Sequence, residues 1–391
     1  MPWSEFYTGN YGGIPGDWSY RELNPDRFPT DVVIFQLLGQ ILNLFPQAQW
    51  ESVVFTEIQA VTWIFEVAMV VVLVLIIRKL MPEKSLSKTL LLFLLPPVWI
   101  IATWSFTWEF IPTFFILLGF YLLLQERWYT QILGGCAFAL ALLERPHFIF
   151  LAIPLVAISY IRTRKVAPLG FVGLGGLITG LGLLYSFKLG LFWEDARGSL
   201  LDLFQYNAVF YDKFTSSGAS LWSLWPQSTS TLYESVDPLG IPVMGWAMVL
   251  ITLVGGLGLY GFLKISDKTF AVIWFFALIA QATFVFLPRM LERYNFTAII
   301  LIFLLWLLYS NRATKTLLIT ISAISFLNIL AIEINEWLYW NMGIPVEDNV
   351  IALEQTYRIL ALGNLFVFYL LWKVIRDQIK PHINQMKELS S

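Results

Sequence analysis

The sequence predicts an all-α protein that crosses a membrane many times, and three observations carry that expectation. Of its 391 residues 58% are hydrophobic and only 13% are charged, too few polar groups to clothe a soluble globule of this length. Apolar runs of helix length recur from residue 57 to residue 376. Lys and Arg collect in alternate loops, as they do in a chain threaded back and forth through a bilayer.

Eleven spans are expected, near residues 57–77, 87–104, 110–124, 130–143, 147–161, 167–189, 241–264, 268–287, 295–310, 314–332 and 357–376. Several fall short of the roughly 20 residues that a perpendicular helix needs, so a pair could be re-entrant. Around them lie an N-terminal segment over residues 1–56 with an amphipathic helix, a large loop over 190–240 and a tail over 378–391; the spans fill 57–189 and 241–377. Arg78, Lys79, Lys84 and Lys88, then Arg127, then Arg162, Arg164 and Lys165, then Lys264 and Lys268, then Arg312 and Lys315, and finally the tail mark the cytoplasmic side. Both the tail and these loops are therefore expected inside, in a multi-pass protein of the cell membrane. The N-terminal segment then falls outside without an anchor of its own, from which a further helix upstream of Met1 is expected.

The loops of opposite sign hold the candidate chemistry. Glu109, Glu144, Arg145, His147, Glu194, Asp195, Arg197, Arg289, Glu292 and Arg293 all fall at expected outer ends of spans. The stretch Leu287-Pro288-Arg289-Met290-Leu291-Glu292-Arg293-Tyr294 sets three charges in eight residues between two apolar segments, where ionised groups are costly. Such a cluster either holds an anion or anchors the chain by snorkelling at the interface. Trp193, Trp222 and Trp225 with Tyr206, Tyr211 and Tyr233 give the large loop the rings of a carbohydrate or headgroup surface, or of an interfacial belt. Gly170, Gly173, Gly175, Gly176, Gly180 and Gly182 have the spacing of close helix contact. Glu66 is the one ion deep inside a span; it is either protonated and hydrogen-bonded or turned to a substrate cavity. A single cysteine, Cys136, excludes an internal disulfide, and two histidines exclude a His-rich metal site.

Taken together, these segments resemble the GT-C superfamily of integral membrane glycosyltransferases, in its bacterial mannosyltransferase-like branch. Pro288-Arg289-Met290-Leu291-Glu292-Arg293-Tyr294 resembles the family's Met-His-Glu-Arg-Tyr stretch after a Pro-Arg or Pro-Lys, with Leu291 in place of the histidine. Ser105-Phe106-Thr107-Trp108-Glu109 with Pro112-Thr113-Phe114-Phe115 is similar to its Trp-Gly-Gln-x-Asp turn, without the Gly-Gln pair. Arg145-Pro146 corresponds to a Lys-Pro, Ser220-Leu221-Trp222 to an Asn-Leu-Trp, and Asp26 to Pro29 to an Asp-Tyr-Pro-Pro. The family's first helix has no counterpart, so the expected fold is GT-C-like without it.

The resemblance implies inverting transfer of a sugar, mannose in the branch resembled, from a polyprenyl-phosphate carrier to a hydroxyl on a glycan, lipid or protein acceptor at the outer face. Arg289, Arg293, Arg145 and His147 would hold the donor phosphate, since a guanidinium grips phosphate through paired charge-assisted bonds. Glu109 and Asp26 are the candidate bases, and Glu292 with Tyr294 would orient an arginine. No cofactor is expected, a divalent cation is left open, membrane lipids surround the protein, and no nucleic acid is expected as partner. Two other classes stay open: a noncatalytic GT-C-like membrane subunit, and a lipid or solute transporter, which would favour inverted repeats and interrupted helices.

Overall fold

A computed structural model of the chain describes residues 50–84, 86–103, 109–125, 127–163, 167–187, 218–225, 238–288, 290–342 and 350–390. Among these residues the secondary structure is helical and no strand occurs. The α-helices are α1 (Trp50–Leu80), α2 (Pro96–Thr103), α3 (Phe110–Leu123), α4 (Trp128–Leu142), α5 (Ala152–Thr163), α6 (Ala167–Phe187), α7 (Val243–Lys264), α8 (Lys268–Phe286), α9 (Phe296–Leu308), α10 (Arg312–Met342) and α11 (Val350–Ser390). Five stretches are long and apolar enough to cross a membrane: Ala60–Leu80, Val243–Lys264, Lys268–Phe286, Arg312–Ile334 and Glu354–Arg376. Those in α3, α4 and α6 and the one over Pro146–Ala157 are apolar but shorter. The chain is thus a helical membrane protein.

Over its described residues each of the eleven expected spans coincides with helix, but two differ in kind. Residues 87–104 do not form one rod. A 3-10 helix over Ser87–Leu94 gives way to extended Leu95, and α2 starts at Pro96. The cause is local: the residue before a proline is pushed out of the α region, while proline itself suits the first helical turn. Arg145-Pro146 acts in the same way, so the expected span at 147–161 begins as a 3-10 turn over Pro146–Leu151 before α5. At its N-terminus α1 starts at Trp50, ahead of the expected residue 57, and α11 runs unbroken through the expected boundary at 377.

The chain divides into two compact units, Met1–Val72, Ala102–His147 and Thr163–Tyr211 in the first, Leu73–Ile101, Phe148–Arg162 and Asp212–Ser391 in the second. In the first, α4 packs on α3 and α6. The α4–α6 contact depends on Gly135 and Gly175: a Cβ on either would run into a backbone carbonyl oxygen of the facing helix, at Val172 and Ile132 respectively. Helices in lipid gain little from the hydrophobic effect, so this close backbone approach supplies dispersion contacts instead. Cys136 Sγ sits 3.4 Å from the Gly175 carbonyl in the same seam. Gly176 only borders it, a Cβ there lying 3.9 Å from the Gly135 carbonyl oxygen, and a Cβ on Gly170, Gly173, Gly180 or Gly182 would meet nothing within 4 Å.

In the second unit α8 and α9 are enclosed almost all round, with α7, α9 and α11 against α8, and α10 against α9. A helix apolar on every face belongs in such a position. By contrast α7 shows Met244, Met248, Leu253, Leu257 and Tyr260 on its exposed side, a surface for lipid. Trp274 of α8 is fully buried and donates its indole N–H to the Leu371 carbonyl of α11 at 2.9 Å. Turns are held by side-chain caps. Asp267 accepts from the Phe270 N–H at 3.0 Å to start α8, and Tyr309 donates its hydroxyl to the same carboxylate at 2.7 Å. Lys268 donates to the carbonyls of Phe262, Leu263 and Ile265, satisfying the open end of α7.

Candidate functional site

In the first unit α3 and α4 form an antiparallel hairpin, so the start of α3 and the end of α4 share one end of it. Glu109 precedes the first residue of α3 and is 1% exposed. Arg145 follows α4, just before the proline that breaks the chain direction, and is also buried. The two meet: Arg145 Nε and Nη2 both approach Glu109 Oε1 at 3.4 Å. Both nitrogens share one oxygen, so this is a loose pair and not a two-oxygen fork. Arg145 Nη1 also donates to the Glu144 carbonyl at 3.0 Å, which fixes the guanidinium from a second side. Glu144 is wholly buried beside it, and His147 enters the 3-10 turn that follows. The segment from Glu109 to His147 therefore packs two carboxylates, a guanidinium and an imidazole into one end of this unit.

In the second unit the sequence motif around residue 292 occupies the turn between α8 and α9. Leu287 and Leu291 are extended, Glu292–Asn295 is a 3-10 turn, and α9 follows at once. Glu292 is buried and pairs with Arg293 at 2.8 Å, while the Arg293 side chain stays 29% exposed. Its guanidinium lies 5.9 Å from the centre of the Tyr294 ring, at cation–π distance. A buried carboxylate thus holds a guanidinium that stays partly exposed. Leu291 is a buried apolar side chain.

Residues 218–225 brace this turn. The Gly218 N–H donates to the Met290 carbonyl at 2.7 Å, and a Cβ at 218 would clash with that oxygen. Trp222 donates its indole N–H to the Phe286 carbonyl at 2.7 Å, capping the last turn of α8. Asn364 of α11 donates to the Ala219 carbonyl at 2.9 Å and faces Gln281 of α8 at 3.5 Å. Asn295 reaches Ser325 of α10 at 3.1 Å. None of Asn295, Ser325, Gln281 and Asn364 was singled out from the sequence, although each is a neutral polar residue inside or beside an apolar run. That is the signal that could have marked them.

The structure therefore brings Glu109 to Arg145 and Glu292 to Arg293, with His147 and Tyr294 beside their respective arginines in sequence. Asp26 and Arg289 lie outside the described residues. Among the described residues no three His, Cys, Asp or Glu side chains gather as metal ligands. Compared with known families, curated proteins and solved structures, the chain finds no match.

Proposed function

We propose that the chain is a membrane glycosyltransferase that moves a sugar from a polyprenyl-phosphate carrier to an acceptor hydroxyl, with inversion, at the outer face. The observation that carries this reading is the turn from Pro288 to Tyr294, where buried Glu292 holds a guanidinium that keeps part of its surface open. A leaving polyprenyl phosphate gains negative charge as the sugar departs, and a prepositioned guanidinium stabilises that charge without reorganising. Arg293 supplies one such group, with Arg289, Arg145 and His147 as the other donor-phosphate candidates. Glu292 and Tyr294 orient Arg293. Glu109 and Asp26 are the proposed acceptor-side carboxylates, and the Arg145 pair gives Glu109 an orienting role as well. The carrier's chain would stay in lipid, which suits a motif at the end of an apolar helix.

The test is donor binding and turnover for wild type, Arg293→Lys and Arg293→Ala in lipid nanodiscs. Lysine keeps the charge and the Glu292 pair but loses the planar fork, so a phosphate-gripping residue should lose donor affinity about tenfold in the Lys variant and more in the Ala variant. Full affinity and turnover in Arg293→Lys would leave Arg293 as an interfacial anchor, because an ammonium snorkels as well as a guanidinium. A noncatalytic membrane subunit is the second reading, favoured by the buried Leu291 at the histidine position. It expects no sugar release from any donor, even with the arginines intact.

A further inference from the structure

The second unit collects its open cations at the end opposite the Arg293 turn. Tyr309, just past α9, donates its hydroxyl to Asp267 ahead of α8, so the α7–α8 and α9–α10 turns lie together. The Lys88 ammonium lies 5.9 Å from the centre of the Trp306 ring, which brings the start of the Ser87–Leu94 3-10 helix to the same end. Arg78 and Lys79, in the last turn of α1, precede that helix by a short turn. Arg78, Lys79, Lys88, Lys264, Arg312 and Lys315 are all exposed there. Among the described residues none of the six forms an ion pair. Of the carboxylates described at this end, Glu83 is open, and Asp267 is engaged by the Phe270 N–H and the Tyr309 hydroxyl.

Their depth is set by the spans. Lys79 is next to last in Ala60–Leu80, Lys264 is last in Val243–Lys264, and Arg312 is first in Arg312–Ile334. These are stretches of membrane length, so their end residues stand at headgroup level. One turn into the span, on the same helix face, an exposed apolar or aromatic side chain follows: Leu75 for Lys79, Tyr260 for Lys264 and Ile319 for Lys315. The Lys264 ammonium lies 5.7 Å from the centre of the Tyr260 ring. Such rings settle at the interface and keep a cation beside them. Positive charge at one level with lipid-facing side chains directly beneath it matches an amphiphile with an anionic head. A soluble anion would use the charge and leave the apolar part idle.

We propose that this end of the second unit is a docking surface for anionic phospholipids. Lys79, Lys264, Arg312 and Lys315 meet the headgroup phosphates, and the exposed faces of α1, α7 and α10 meet the acyl chains. The proposal is independent of the glycosyltransferase reading. Each cation near an anionic lipid surface is worth about fivefold in affinity, and the attraction fades as salt shortens the screening length. Phosphatidylglycerol carries the net negative charge this surface asks for. Phosphatidylcholine, whose phosphate is balanced by its own ammonium, does not.

The experiment uses the full chain in detergent and measures, by native mass spectrometry, the association constants of single phosphatidylglycerol and phosphatidylcholine molecules. The variants are Lys264→Gln/Arg312→Gln/Lys315→Gln and the charge-keeping Lys264→Arg/Lys315→Arg. Wild type should prefer phosphatidylglycerol, the triple Gln variant should lose at least about fivefold of that preference, and the Arg variant should keep it. Equal affinity for the two lipids in wild type overturns the proposal. An undiminished preference in the triple variant also overturns it, because the lipid then binds elsewhere. Loss in the Arg variant as well would mark the lysines as structural and contradict a charge-based site. Inorganic phosphate is added in a further arm, and displacement of the lipid by it at equal concentration would make this a site for a free anion instead. Should the triple variant fail to fold, Lys264→Gln and Lys315→Gln are measured singly, and wild-type preference in both removes the site.

Discussion

Arg145 approaches Glu109 through two nitrogens that share one oxygen at 3.4 Å, whereas Arg293 meets Glu292 at 2.8 Å and stays partly open. These two pairs differ in what substitution should do. Breaking a buried ion pair by removing one charge costs about 3–5 kcal/mol, because the other charge stays buried without compensation. Glu109→Gln retains the shape and a hydrogen-bond acceptor, so assembly should survive with a lowered unfolding midpoint. Transfer is expected to fall about 10²-fold. The kinetic form of that loss is informative: weaker donor affinity marks Glu109 as the residue that orients Arg145, and a fall in rate at unchanged affinity marks it as a base. Unchanged turnover removes it from the site. At this scale the sequence was informative about charge and poor about pairing. Arg145 and Glu109 were both legible as candidates at span ends, yet 36 residues separate them, and nothing local says that two such groups will share a bond.

Element boundaries show the same division between local and long-range causes. Helices announce themselves by long apolar runs, so the described residues of the expected spans are mostly helical, and five of those helices are long and apolar enough to cross a membrane. Pro96-Pro97 and Pro146 carried a clear local signal for a break that a hydropathy reading overrides, and the backbone follows the prolines. The glycine series in α6 was legible as a packing motif, but which glycines meet α4 depends on the facing helix. Gly175→Val should therefore push α4 and α6 apart and destabilise the protein by at least about 1–3 kcal/mol, the usual range for overpacking. Gly180→Val, with nothing near its Cβ, should change the unfolding midpoint in detergent little. Equal midpoints for the two variants would contradict the α4–α6 seam. The brace formed by Gly218, Ala219 and Trp222 was beyond the sequence. Its partners Met290, Asn364 and Phe286 lie 64 residues or more away, and the contacts run through backbone carbonyls that carry no residue signature.

For the whole molecule the first question is sidedness. From the alternating basic loops we propose that the turn after α7 lies inside and the turn before it outside. Leu239 is fully open in the turn ahead of α7, and Ser266 lies in the turn that follows it. In a Cys136→Ala background, a cysteine at Leu239 should react with an impermeant thiol reagent applied from outside, and one at Ser266 should not. Labelling at Ser266 alone would invert the orientation and carry every proposed site residue to the other face. The function rests on a different measurement. Membranes with and without the chain are given polyprenyl-phosphate hexoses labelled in the sugar, and the fate of the label is followed. The account predicts that, for one donor, label moves to an acceptor with inverted anomeric configuration and free polyprenyl phosphate appears, only where the chain is present. Donors that stay intact across the whole panel, with the chain folded and in the membrane, would contradict it.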